Sequence, residues 1–530
     1  MRIPDTVVTS APKYCSDLLP HLPLEIYDYI IDFLWYDPAA LARCCLVCSA
    51  LLAAAAHHLD HLGRLEISNR AAVALYARIF SAKENRLFSN TIESIVVRED
   101  PRSPFVHHFS ISIPGCYLPE VTELYLNQLD WTITRPHVLF FDCLTFYSGV
   151  AELHLSSCRF KNASQLRRLI SALPSLKALS LVRIDGSTLC DVPMTTVPRP
   201  TLNAANRIQD LTLFNPPQCT DLSAFTDSRV ALRNSLAFCA QYSSVSQLSL
   251  DIVYLESLAC VLQLLHNFPL LSDLAVHGSS NDMSVDVPEW QVLDIEHADV
   301  GALHLIRHRF VAFHLWGIPT IPALDLMKLV ATSEACSKLE SLAVVHKDST
   351  GPVAKLPQAV MDTLRLAGAA LRTFQFRWYC PLTECVPELD FAPSTLLEDV
   401  RVDLMMPPSP YTIERTLVPM VSSITSPLLK RLSISLIVAD AGTSEAHQPF
   451  SGGDVLQSRG PEAVDDFHTI LNALLFHDLP RNGVHITLMH QPNHTAAAEA
   501  IVQVKSRLDE LFEPWLARNV LKLSMTLTLI

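Results

Sequence analysis

No stretch of this chain is apolar for long enough to cross a bilayer. The longest apolar run, Cys44 to Ala56, is broken by Ser49 and falls short of the about 18–20 residues that a spanning helix needs. The N-terminal MRIPDTVVTSAPKYCSD has no apolar core of the kind that marks a secretory signal. Positive charge is scarce as well. Lys and Arg number 40 against 54 Asp and Glu, a formal charge of -14, which argues against nucleic acid or an anionic membrane as partner and makes a basic partner easier to accommodate. Dense cysteine spacing is also absent. The fourteen cysteines are spread from Cys15 to Cys385, mostly singly and within apolar segments, so they read as reduced core residues and not as a disulfide scaffold. Together these absences predict a soluble protein of the cytoplasm or nucleus, in which the sequons at Asn162 and Asn493 are incidental.

Enzyme signatures are missing too. There is no G-x-x-x-x-G-K-[ST] phosphate loop, no G-x-S-x-G elbow and no H-E-x-x-H zinc helix. The nearest metal-like pattern is CCLVC at Cys44 to Cys48, followed by His57, His58 and His61. Two thiolates one helical turn apart with downstream imidazoles could in principle make a tetrahedral site, but the tight C-x2-C and H-x3-H spacing of zinc modules is not reproduced. His304 and His308 share a helical face without a third ligand nearby. The expectation is therefore no catalytic residue, no metal and no cofactor.

What the chain has is apolar patterning. Hydrophobic residues make up 49% and charged residues 18% of its 530 positions. That is enough for a large core, spread over several domains or over one elongated repeat domain. The densest boundary signals lie in residues 20–62. Leu22 and Pro23 open a first helix whose Ile26, Ile30, Phe33 and Leu34 recur at helical spacing. Asp37 followed by Pro38 predicts a second helix, because an Asp N-cap accepts an orphan N–H and Pro at the first position has no N–H to leave unpaired. That helix carries Leu41, Cys44, Val47 and Cys48, and a third starts from about Ser49 with Leu51, Leu52, Leu59 and Leu62. Three helices this short cannot bury their apolar surface among themselves, so something else is expected to cover it.

This segment resembles the F-box, the module by which substrate receptors dock onto the Skp adaptor of cullin ubiquitin ligases. The opening Leu-Pro of the family falls on Leu22 and Pro23, its acidic and aliphatic pair on Glu25 and Ile26, its later anchors on Ile30, Leu34 and Leu41, and its Val-Cys pair on Val47 and Cys48. The aromatic that commonly follows that pair is missing, with Ala50 and Leu51 in its neighbourhood. The resemblance implies that Leu22, Pro23, Ile26, Ile30, Leu34, Leu41, Val47, Cys48 and Leu51 contact a Skp-type adaptor, which in turn is bound to a cullin scaffold. The other reading is a helical cap whose stripes face only the rest of the chain.

Beyond residue 120 the chain repeats loosely. In VAELHLSSCRF, the residues Val150, Leu153, Leu155, Cys158 and Phe160 reproduce the spacing of a leucine-rich repeat. The same L-x-L core returns at Leu124 and Leu126, Leu179 and Leu181, Leu211 and Leu213, and Leu248 and Leu250. Weaker copies pair Leu274 with Val276, Leu293 with Ile295, Phe313 with Leu315, Leu342 with Val344, Phe374 with Phe376, Val400 with Val402, and Leu432 with Ile434. Helix-like stretches fall between them at 165–172, 255–267, 324–331 and 358–367. Strand alternating with helix at this period predicts an α/β fold: a curved leucine-rich-repeat solenoid, its parallel strands on the concave face, following the small three-helix F-box. A doubly wound open sheet is the competing architecture, but it would be unusually large. The expected organisation is a flexible N-terminus at 1–19, the F-box at 20–62, a connecting and capping segment at 63–119, and the repeat domain at 120–530. Four of the fourteen glycines fall in Ala439 to Ala463, which reads as a flexible surface insertion.

The residue just before each L-x-L core should point out of the sheet. Over the first six copies it is Glu123, Glu152, Ala178, Asp210, Gln247 and Asp273, and over the next six Val292, Ala312, Ser341, Thr373, Asp399 and Arg431. If the register holds, acidic side chains stack at about 5 Å per strand and their potentials add, attracting a cationic segment. Alternatively they reflect only the overall negative balance. Trp316, Arg377 and Trp378 are further candidate contacts, because Trp and Arg are favoured interface anchors. The sequence thus predicts a non-enzymatic ubiquitin-ligase substrate receptor that binds an adaptor through the F-box and a protein substrate, a basic one being the easiest to accommodate, through Glu123, Glu152, Asp210, Asp273, Trp316 and Arg377. The alternative is a leucine-rich scaffold in which the first helices only cap the solenoid.

Overall fold

A computed structural model describes residues 23–34, 37–45, 47, 51–52, 54–55, 58, 63–81, 89–185, 208–214, 234–242, 244–252, 255, 257–278, 309–332, 334–346, 355–378, 388–406, 410–438, 461–473, 476–477, 479–490 and 495–527. The chain is α/β, and all its paired strands are parallel. It divides into two compact units, one of Met1–Ala151 with Ser171–Ser175, the other of Glu152–Ile170 with Leu176–Ile530.

The first unit holds the predicted helix boundaries. One helix runs Leu24–Asp32, and a second, Pro38–Cys44, starts where the Asp-Pro pair places it: the Asp37 carboxylate accepts the Ala40 N–H at 3.0 Å. Residues 51–52, 54–55 and 58 are also helical. The parallel ladder of this unit starts earlier than the L-x-L pattern does. Strands β1 (Arg64–Ile67), β2 (Ser94–Arg98) and β3 (Glu123–Asn127) pair in chain order, so the segment taken as a connector at 63–119 already contributes two strands. Helix Arg70–Ser81 follows β1, and helices Val106–Ser112 and Phe140–Leu144 follow β2 and β3. Between them sits an aromatic core of Phe109, Trp131, Phe140 and Tyr147, with ring pairs in edge or tilted contact, an arrangement favoured by the ring quadrupoles.

The second unit carries β4 (Glu152–Ser156), β5 (Ala178–Val182), β6 (Asp210–Phe214), β7 (Gln247–Asp251), β8 (Asp273–His277) and β9 (Ala312–Ile318). It continues with β10 (Ser341–His346), β11 (Thr373–Trp378), β12 (Asp399–Met406), β13 (Arg431–Val438), β14 (Val484–His490) and β15 (Leu521–Leu527). Each strand pairs with the next in sequence. A doubly wound sheet would reverse its strand order at a switch point, and this ladder has no such reversal. Helices Ala163–Ser171, Leu258–Asn267, Thr320–Thr332 and Lys355–Ala367 occupy the predicted positions, several with extra residues at one or both ends.

Alternation builds the core. The two apolar residues of each L-x-L pattern are buried from β3 through β13, and the residues flanking them are half-buried or exposed except Asp251 of β7 and Ala343 and Val345 of β10, which are buried as well; elsewhere the strands keep the period of two of a pleated strand. The strands then turn alike: Gln128, Ser157 and Arg183, each the residue after its strand, all adopt positive φ near 55–60°, which swings the chain away and lets Leu129, Cys158 and Ile184 drop back into the core. At the β8–β9 seam the backbones touch. A methyl group on Gly278 would meet the Gly317 carbonyl oxygen at 1.9 Å, so only glycine fits. The weaker copy at Leu293 and Ile295, with Val292 before it, lies outside the described residues, and β8 pairs directly with β9. Most of the Ala439 to Ala463 insertion also lies outside them. Its last three residues belong to helix Pro461–Leu471, and β13 pairs directly with β14 across it.

Candidate functional site

Two surfaces contain the residues singled out by sequence. On the first helix, Ile26, Tyr29, Ile30 and Phe33 form a stripe at helical spacing and all are exposed, Tyr29 to 62% and Phe33 to 71%. Tyr29 and Phe33 touch edge to face, 5.0 Å between centroids. Val47 is likewise exposed, whereas Leu34 and Leu51 are half-buried. Leu41 is not at the surface: with Ile31 it is fully buried, on a helix that packs against Arg70–Ser81. Pro23 is exposed, and Leu22 and Cys48 lie outside the described residues. His58 reaches Asp32 at 2.8 Å, which ties residue 58 to the first helix. No group of three His, Cys, Asp or Glu among the described residues is placed to hold a metal. His57, His61, His304 and His308 lie outside them. Among the described residues no helix is long and apolar enough to cross a membrane.

The second surface is the non-core face of β4–β13. Register pairs Glu152 with Ala178, Ala178 with Asp210, Asp210 with Gln247, and Gln247 with Asp273. The acidic row read from the sequence is therefore a row in space, its carboxylates on alternate strands about 10 Å apart. Glu123 occupies the equivalent position of β3 in the first unit, paired with Ser94, and its carboxylate accepts the Tyr125 hydroxyl at 3.0 Å. Among the described residues no Lys or Arg pairs with Glu152, Asp210 or Asp273. Glu152 meets only His154, at 3.4 Å, and Asp273 accepts the Ser272 hydroxyl at 2.6 Å. Burial, then Glu152 and to a smaller extent Asp273, push the Asp210 carboxyl above its ordinary range, with His154 pulling the other way.

Two further rows lie beside the acidic one, and the reading by L-x-L cores overlooked them. The middle strand positions supply His154, Ser249 and His314, and the next ones out supply Phe214, His277 and Trp316. His277 bonds the Ser249 hydroxyl at 3.1 Å, and its ring stands 4.8 Å from that of Phe214. The Ser341 oxygen accepts the Thr373 hydroxyl at 2.7 Å, which leaves its own O–H for His314 Nε2 at 2.8 Å. Burial lowers the affinity of both imidazoles for a proton. For His277 the nearby His314 adds to this, and for His314 the Asp273 carboxylate opposes it. Strand parity was the available signal, since every second residue after an acidic position shares its face.

The other two predicted anchors separate by that same parity. Trp316 is half-buried on the polar face. Trp378 falls on the core side, 2% exposed, against His346 and Phe376, so it is a packing residue. Arg377 does lie on the polar face, but its Nε donates to Asp403 at 2.7 Å, so it is engaged within the sheet. No protein-family model matches the chain, and no curated protein matches it.

Proposed function

We propose that the chain is a non-enzymatic substrate receptor of a Skp-cullin-F-box ubiquitin ligase. Its first helix docks a Skp-type adaptor, the adaptor holds the cullin, and the polar face of the parallel strands captures a protein substrate through basic side chains. The ubiquitin-charged enzyme bound elsewhere on the cullin performs the transfer, so this chain contributes proximity and orientation and no nucleophile. The observation that carries the reading is the exposed apolar stripe of Ile26, Tyr29, Ile30 and Phe33, in the segment that resembles an F-box; contiguous exposed apolar side chains mark interaction surfaces. The acidic row without Lys or Arg partners supports the substrate half.

A scaffold whose first helices only cap their own unit is the second reading, favoured by the burial of Ile31 and Leu41. Adaptor capture separates the two. Replacing Ile30 and Phe33 together by Asp sets carboxylates into the contact, where burying an unpaired charge is costly. Both side chains are exposed, so folding should survive, which circular dichroism would check. Capture of a Skp-type adaptor should then fall by at least about tenfold. Undiminished capture by the folded double variant would leave the capping reading.

A further inference from the structure

The first unit contains a cavity of about 200 Å3 lined by Arg70, Val73, Pro104, Phe105, His108, Ile111 and Ser112. It lies where helix Arg70–Ser81 packs against helix Val106–Ser112. Its walls are of two kinds. Val73, Phe105 and Ile111 are apolar, while Arg70, His108 and Ser112 bring hydrogen-bond donors.

Basic side chains gather there, and among the described residues no carboxylate pairs with them. The rings of His107 and His108 are 4.2 Å apart, and His108 and His137 are 5.4 Å apart. His137 Nδ1 accepts the Leu139 N–H at 3.2 Å, so its Nε2 carries the proton and is a donor. His107 Nδ1 is buried with no hydrogen-bond partner. Burial first, then the neighbouring basic groups, hold both adjacent histidines below their ordinary value: His108, Arg70 and His137 act on His107, and His137 and Arg70 act on His108. Among the described residues no carboxylate acts on either. Glu99, between β2 and helix Val106–Ser112, is engaged with the N–H groups of Phe105 and Val106 at 2.7 and 3.2 Å. A cluster of donors that has no carboxylate partner among the described residues is complementary to an anion supplied from outside.

We propose that this cavity binds a small organic anion, its carboxylate or phosphate head held by Arg70 and His108 and its apolar body laid on Val73, Phe105 and Ile111. The volume sets the size. Drug-sized pockets run to roughly 300–1,000 Å3, so the occupant here is no larger than a ring or short chain carrying one charged group. A metal ion is the wrong ligand, because no described set of three donors has the geometry to hold one. Binding an anion favours protonated His108, and by linkage the affinity rises as pH falls through the imidazole range.

The test is calorimetric titration of the full chain with phenyl phosphate, benzoate and benzylamine, at pH 6 and pH 8. Binding of phenyl phosphate or benzoate, about tenfold or more tighter at pH 6, and no binding of benzylamine are the results expected. Which of the two anions binds more tightly identifies the head group. Arg70 is exposed, so Arg70→Gln should fold, and it should weaken binding by about tenfold or more. Arg78→Gln on the same helix should leave binding unchanged. Failure of both anions at millimolar concentration, equal binding of benzylamine, or affinity indifferent to Arg70→Gln would each overturn the assignment.

Discussion

Two stretches of the same sheet face treat their carboxylates in opposite ways. Along β10–β13 each acid has a basic neighbour one repeat away. Arg372 lies between Glu340 at 3.4 Å and Glu398 at 2.7 Å, Lys430 reaches Glu398, and Asp399 meets Arg401 and Arg431, each at 3.5 Å. Arg377 and Asp403 close a further pair. Along β4–β8, Glu152, Asp210 and Asp273 open their strands as Asp399 opens β12, and among the described residues none of them has a Lys or Arg neighbour; beside them stand histidines and the aromatic rings of Phe214 and, on β9, Trp316. An alternating ladder neutralises itself and supports the strands that carry it, although exposed pairs contribute little individually. A row of one sign does the reverse. It costs some stability through mutual repulsion and projects a potential into solvent, the property a surface needs to attract a cationic partner.

The largest expected effect comes from reversing that potential. Changing Glu152, Asp210 and Asp273 together to Lys should slow association of a basic peptide substrate by about tenfold to hundredfold, and the wild-type rate should fall as salt rises. Reversing Glu398 instead should leave association unchanged, because its charge is already matched by Arg372 and Lys430. Stopped-flow association at several ionic strengths reads both. A rate insensitive to salt and to the triple reversal would place recognition away from this row.

How much of this was legible in the sequence follows from which interactions are local. The L-x-L cores, the Asp37 cap and the acidic row follow from periods of two, capping chemistry and a counted register, each contained within a few residues. Strand β1, Arg64–Ile67, does alternate buried and exposed residues but is only four residues long, whereas β2 escaped because it does not alternate apolar and polar residues in the L-x-L manner. Ser94, Ile95, Val96 and Val97 are buried one after another, a pattern that a short helix could share. The pairing of Glu398 with Arg372 and Lys430 escaped for another reason. Those partners lie one repeat away in either direction, and the repeats differ in length, so which residues become neighbours is decided by register. The histidine cavity is the extreme case, since His137 and Arg70 approach His107 and His108 only through the packing of separate elements.

A smaller effect should appear on changing pH. A cationic partner favours the ionised form of Asp210, whose carboxyl sits above its ordinary range. Capture should therefore strengthen as pH rises through that titration and level off above it. His277 and His314 act in the same direction, because protonating them adds positive charge to the face, and this happens only below the ordinary imidazole value. Affinity of a Lys- or Arg-rich peptide measured from pH 4 to pH 8 should thus rise and never fall. Tighter binding at the acid end would mean that the partner is not cationic.

The smallest effect tests the comparison within the free protein. Burial and like charge raise the Asp210 carboxyl in the folded state, so above its unfolded value the ionised form subtracts from stability. Asp210→Asn removes that penalty. The hydrogen bonds from Lys430 and Arg372 depress the Glu398 carboxyl, so its contribution is present above the unfolded value and is lost as pH falls through the lower folded one. Glu398→Gln removes that gain. At neutral pH the two carboxylate-to-amide changes should shift the melting temperature in opposite directions, up for Asp210 and down for Glu398, each by about 1–2 °C. At a pH low enough to protonate both carboxylates the two shifts should shrink together. Shifts of the same sign at neutral pH would show that the two stretches do not differ in how they hold their charge, and the acidic row would lose its claim to be kept for a partner.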